Sequence, residues 1–439
     1  MSLGLGRPFG SASSIAASSS SSSAISSSST LPPTATGPSP HSRDRLFDPN
    51  GSKKSGPAPA AATATPKKKL GSLGNLVSKR EATVTGQLRA RAPAYKEASE
   101  IFSVKFSLDD EYVAAGLGDA SIAIHSTRTN ELLHTLAPPT IDSHLPCTSI
   151  AFRPDSASYK NKNVMVAAYA SGDIVHWHTT SAQPISHISE STPTSTSTST
   201  STSSSASLNQ PYCITYNPSG SHFATAGSDC CVRVYDGSAV RLATTMSTGT
   251  GADTAGHSNR VFVVRFHPED PHCLVSAGWD NTVQIWDTRK SRSIRSFYGP
   301  HICGEALSFH PTNPTQLITG SYRKDHALQL WSFLDGTLLE TVPWTHPDNP
   351  DPHSTLLYSV TPSTSGRYVV AAGGSMHQVK LFGMGATTAK RPVGMVTNLP
   401  GTVYSAAMSH DEKMVAFGGS DQLLWSYDVD LIGLTDFLY

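Results

Sequence analysis

Seven times along this chain an apolar run is followed by a turn, a second apolar run ending in small residues, and a third run. The first members are IFSVKFS (101–107), CTSIAFRP (147–154), YCITYNP (212–218), VFVVRFHP (261–268), EALSFHP (305–311), LLYSVTP (356–362) and VYSAAMS (403–409). The second members end in AAGLGD, AYASGD, TAGSD, SAGWD, TGSYRKD, AAGGSM and FGGSD. In five repeats the turn Asp is followed six residues later by a ring: Asp119/His125, Asp229/Tyr235, Asp280/Trp286, Asp325/Trp331 and Asp421/Tyr427. Corresponding positions recur every 43–51 residues, except where the Ser/Thr loop stretches the gap between the second and third repeats, a spacing that means a repeat array of short strands and excludes a helical domain, since no 3.6-residue apolar period is sustained. Four strands per unit, repeated seven times, predict an all-β, seven-bladed β-propeller of four-stranded antiparallel blades.

Composition divides the chain. Residues 1–95 hold 12 Lys/Arg against 3 acids, and the remainder 21 against 30, so a net charge of zero conceals a basic tail on a mildly acidic body. Residues 1–80 run through Ser, Pro/Ala and Lys clusters with too little apolar surface to offset the entropy of ordering, which predicts a disordered tail. Residues 81–439 are the propeller, with the Ser/Thr-rich loop 190–208 extruded between the second and third repeats. EATVTGQL (81–88) alternates well enough to serve as the outer strand of the last blade, and LIGLTDFLY (431–439) competes for that place.

The repeats resemble those of the WD-repeat β-propeller family over roughly residues 81–430. The fourth is the most typical, with Gly256-His257 before VFVVRFHP and then LVSAGWDNTVQIWD. Others have drifted: Tyr235-Asp236 and Tyr427-Asp428 replace Trp-Asp, Trp331-Ser332 loses the Asp, and Phe382-Gly383 has no turn Asp. The second repeat keeps Trp177, shifted in register. The resemblance implies a structural tetrad of His257, Ser276, Asp280 and Trp286. The same residue types would make a hydrolase triad, but Ser276 lies in an apolar strand with no GxSxG elbow around it, which favours the fold-holding role.

Trp279 stands at the turn tip where sister repeats carry Gly118, Gly172, Ser228 or Ser420. Either it packs over a neighbouring loop or it projects as an aromatic anchor for a partner. The lengthened turn GSYRKD places Tyr322, Arg323 and Lys324 beside it on the next blade, with Met376 and His377 in the sixth repeat and Tyr169 in the second at matching places. An aromatic-plus-Arg rim has the composition of a protein-binding patch.

Cys147, Cys213, Cys230, Cys231, Cys273 and Cys303 form no CxxC and match no zinc spacing, so they read as reduced thiols. No cofactor or metal is expected, and no apolar run reaches the ~18–20 residues of a membrane span. There is no P-loop, Rossmann fingerprint or HExxH. Lys53-Lys54 and Lys67-Lys68-Lys69 resemble a bipartite nuclear import signal, and Thr65-Pro66 between them is a candidate phosphorylation site. The Ser-rich, acid-poor start also resembles an organelle transit peptide. These features predict a non-catalytic scaffold or adaptor of the cytoplasm and/or nucleus that binds proteins or peptides on a propeller face. The alternatives are a hydrolase working on a face or in the channel, and a nucleic-acid reader assisted by the basic tail.

Overall fold

Within each of the first six repeats, the inner three strands are mostly buried and the fourth is the most exposed, and the residue types follow. First strands such as Val261–Phe266 are buried along nearly their whole length, whereas fourth strands such as Leu132–Leu136 and Gln183–Ser189 alternate toward solvent. The computed structural model describes residues 85–93, 99–138, 145–155, 163–190, 209–249, 256–345, 355–385 and 390–430. The Lys clusters, Thr65 and the Ser/Thr tract lie outside the described residues, as does the 431–439 segment. Among the described residues there are seven four-stranded antiparallel sheets and no helix.

Blades 1 to 6 each use four consecutive strands, over 101–136, 147–189, 211–246, 261–298, 307–342 and 357–396. Blade 7 joins the two ends of the chain. Its inner three strands span 403–430, and Thr85–Pro93 pairs antiparallel with Leu423–Asp430 as the outermost strand, from Thr85↔Asp430 to Pro93↔Leu423. The ring-closing strand therefore comes from the N-terminal side. Residues 81–84 are outside the described set.

Neighbouring first strands touch all the way round the ring, and one repeat position stitches them. Ser405 Oγ accepts the Val104 amide, Ser103 Oγ the Ile150 amide, Ser149 Oγ the Ile214 amide and Ser359 Oγ the Ala406 amide. Cys213 takes that position in blade 3, and its thiol points at the Val264 carbonyl 3.7 Å away. A small hydroxyl there satisfies an inner-strand amide of the next blade that no strand partner reaches.

Two recurring β-bulges re-aim side chains. The first, at the second residue of the first strand, falls on Phe102, Thr148, Tyr212, Phe262, Tyr358 and Tyr404. The second falls on the fourth strand opposite the blade's ring residue. It turns Leu133, Ile185, Ile294 and Leu339 outward, which accounts for four of the exposed large apolar side chains.

Candidate functional site

In blade 4 the four tetrad residues come together. Trp286 Nε1 donates to Ser276 Oγ at 2.7 Å, Ser276 Oγ lies 2.6 Å from His257 Nε2, and His257 Nδ1 lies 2.7 Å from Asp280 Oδ2. Asp280 also accepts the Ser258 and Thr282 amides and the Thr282 hydroxyl. Burial works against its ionisation, but the His257 bond and these donors outweigh that and lower its pKa. A charged Asp280 fixes the Nδ1–H tautomer of His257, which leaves Nε2 to accept the Ser276 proton and Ser276 to accept the indole N–H. This is also the hydrogen-bond order of a Ser-His-Asp triad. Access separates the two: Ser276 and Trp286 are 0% exposed, and both hydrogen-bonding capacities of Ser276 are used inside the blade.

Other blades solve the same problem with residues the sequence pattern did not single out. In blade 3, Glu190 fills the place of His257. It accepts from Thr225, from Tyr235 Oη at 2.8 Å and from Asn209 Nδ2 at 2.6 Å, and Arg233 bridges it to Asp229. Glu190 and Asn209 flank the Ser/Thr tract, so its two ends are pinned by a buried network. No Gly-His dipeptide marks this site. In blade 2, Trp177 pairs opposite Met165 as Trp286 does opposite Leu274, so its strand register is regular and the turn is equally long; Ser171 stands at the place of Asp280, and the Asp comes two residues later, at Asp173. Trp177 donates to Tyr169 Oη at 3.2 Å, and Tyr169 is fully buried, hence a core residue and no part of the rim. Trp331 donates to Thr319 in blade 5, leaving Asp325 exposed, and in blade 7 Trp425, not Tyr427, donates to Asp421.

The rim residues lie on adjoining turns of blades 4 and 5. Trp279 is half-buried. Its indole sits 5.2 Å from the Phe262 ring, Arg260 covers it at 5.3 Å, and the His301 ring runs parallel at 6.4 Å. Its N–H is buried without a hydrogen-bond partner. Burial pushes the nearby Cys303 thiol up to about 11. Asn281, held at φ +62° at the turn tip, accepts from His301 Nδ1 at 2.8 Å and from Arg323 Nη2 at 2.7 Å. Burial, then the charge of Arg323, holds His301 below its ordinary pKa, so it braces the rim as a neutral ring. Arg323 is exposed yet tethered, with Nη1 also 3.4 Å from the Gly299 carbonyl. Tyr322 leans on Tyr358, whose hydroxyl donates to it at 3.2 Å. Lys324 projects into solvent with no hydrogen bond or ion pair among the described residues. Met376 is 37% exposed on blade 6, with His377 beside it.

A charged cluster in the ring's interior is a further feature. Glu305 occupies the position where five sister first strands carry Phe102, Tyr212, Phe262, Tyr358 and Tyr404. It accepts from Lys105 Nζ at 2.6 Å, Arg265 Nη2 at 2.8 Å and Ser149 Oγ at 2.5 Å, and so joins blades 1, 2, 4 and 5. Burial opposes its charge, but Lys105 and Arg265 hold its pKa down at about 2. The sequence signal was present, as an acid in a column that is aromatic in five of the other six blades.

Seven blades, with the blade-4 tetrad in place, define a β-propeller whose repeats are similar to those of WD-repeat proteins. The family model described as "WD domain, G-beta repeat" matches residues 198–236 and 251–287, each match ending on the third strand of a blade. Protein tipD of Dictyostelium discoideum is 30% identical over 131 residues, 30% of this chain and 19% of that protein. Nuclear distribution protein PAC1 of Komagataella phaffii is 29% identical over 114 residues, 26% of this chain and 21% of that one. WD repeat-containing protein 1 of Mus musculus is 27% identical over 119 residues, 27% and 17% respectively. The chain thus spans about a fifth of the length of these relatives. Proteins of this family generally act as non-catalytic interaction scaffolds. Among the described residues no helix is long and apolar enough to cross a membrane, and no cluster of His, Cys, Asp and Glu could hold a metal ion.

Proposed function

We propose that this propeller is an adaptor that holds a protein partner on the blade 4–5 rim. The partner presents a carboxylate or phosphate next to an apolar side chain. The observation that carries this reading is Arg323: an exposed guanidinium fixed by Asn281 and Gly299, beside a half-buried indole and an unpaired Lys324. A held Arg loses less side-chain freedom on binding than a free one, and its fork matches a carboxylate or phosphate. The enclosure of Ser276 weighs against the hydrolase alternative, since a nucleophile must meet its substrate. Residues 1–80, in this reading, act in localisation, to the cytoplasm or nucleus, apart from the propeller.

The test compares wild type with Arg323→Glu/Lys324→Glu, both shown to melt cooperatively. Binding to a library of acidic, phosphorylated and neutral peptides is measured, with proximity labelling in cells alongside. Loss of acidic-peptide binding and of a defined set of neighbours supports the rim. Identical profiles for the two proteins would place the site elsewhere.

A further inference from the structure

Blades 6 and 7 leave an apolar groove of about 320 Å³ between them. Val370 and Leu381 form the blade 6 wall, and Val415, Phe417 and Tyr427 the blade 7 wall. The groove has a local cause in the sequence. Opposite Leu381 on the fourth strand stands Gly394, at the register position where blades 1 to 5 carry His134, Ser186, Thr244, Arg295 and Glu340. Only in blade 6 is there no side chain to cover that face. Met395, on the lip, is 61% exposed, and no charged residue lines the groove.

Val429 is itself part of the lining, and the chain continues from Asp430 into LIGLTDFLY (431–439). We propose that residues 431–439 dock in this groove. Six of these nine residues are large and apolar (Leu431, Ile432, Leu434, Phe437, Leu438 and Tyr439), with Asp436 the one charge. Nine residues reach at most about 30 Å when extended, and they start at the groove wall, so docking is intramolecular and carries a high effective concentration. Burying an apolar segment against an apolar, uncharged cleft is the favourable direction of the hydrophobic effect. The two chain ends then hold the same blade in different ways. Residues 85–93 take the sheet edge by backbone pairing, and residues 431–439 fill the inter-blade cleft by side-chain packing. Neither displaces the other.

The test uses the full chain with a benzoylphenylalanine photo-crosslinking side chain at position 395, where the native Met is already exposed. The expected result is an intramolecular cross-link, mapped by mass spectrometry to the 431–439 peptide, in protein that migrates as a monomer. Cross-links that join two copies, or that never fall in 431–439, overturn the proposal. Adding Leu434→Asp/Phe437→Asp should cut the cross-link yield at least fivefold while cooperative melting is retained. It should also speed hydrogen exchange in 393–397 and 415–417. An unchanged yield and unchanged exchange would equally overturn it.

Discussion

Arg323 and Asn281 sit 42 residues apart in the chain and on different blades, yet Arg323 Nη2 lies 2.7 Å from Asn281 Oδ1. The same oxygen accepts from His301, so one carboxamide fixes two rim side chains. Asn281→Gly keeps the left-handed backbone freely available and removes only that acceptor. Hydrogen bonds of this kind contribute roughly 0.5–1.5 kcal/mol. The melting temperature should therefore move little, while affinity for acidic peptides falls several-fold by titration. Unaltered affinity would show that Arg323 needs no brace.

Trp286→Ala removes a fully buried ring and the indole donor to Ser276. Chemical denaturation should show a loss of about 3–5 kcal/mol. Read from sequence, Trp279→Ala should cost well under about 1 kcal/mol. The structure raises that expectation to about 1–2 kcal/mol, because the half-buried indole packs on Phe262 and under Arg260. Equal losses at the two positions would contradict their division of labour.

Glu305→Gln leaves Lys105 and Arg265 facing each other with no counter-charge. Breaking a mostly buried ion cluster costs about 3 kcal/mol or more. The pH dependence has a definite sign. The folded pKa of Glu305 lies near 2 against an ordinary 4.5. Wild type should therefore hold its full advantage above about pH 4.5 and lose it as pH falls toward 2. Parallel urea titrations of both proteins across that range would check it.

His410 Nδ1 lies 2.9 Å from Asp110 Oδ1, across the junction of blades 7 and 1. The Asp110 bond raises the His410 pKa above its ordinary 6.5, and Asp110 in turn is lowered below 3.8, its His410 bonds outweighing burial. The pair's contribution is thus full below pH 6.5, until Asp110 itself protonates, and disappears as pH rises through the folded value of His410. The melting-temperature gap between wild type and His410→Ala should be widest near pH 5 and shrink above pH 7. A gap that widens with pH would reverse this assignment.

A chain beginning at residue 80 should melt cooperatively at nearly the temperature of the full protein. One beginning at residue 95 loses the strand paired with Leu423–Asp430. It should lose cooperativity and aggregate through the uncovered sheet edge, which light scattering during a thermal ramp would detect.

Much of the fold was legible because its periodicities are local. The seven first strands and the small-residue turns could be read from spacing and residue type, and the blade-4 tetrad from the resemblance that those repeats carry. The networks built on Glu190, Tyr169 and Trp425 could not, because each replaces one member of the tetrad by a residue of different type at a different spacing. Tyr169 is instructive. On sequence it sits at a turn matching the rim; in space it is buried, because it ends the second strand at the place of Gly278, one residue before the turn tip, and its hydroxyl takes over the work of Ser276.

The sequence by itself determined the number of blades and the strand order within each, since these depend on neighbours close along the chain. Tertiary structure alone decided which terminus closes the ring, where Glu305 finds its cations and how Arg323 is held. Each of these joins residues far apart in sequence, Lys105 and Glu305 by 200 positions. No local pattern encodes such a pairing. It exists only once seven sheets meet around one axis and buried charges must find partners there.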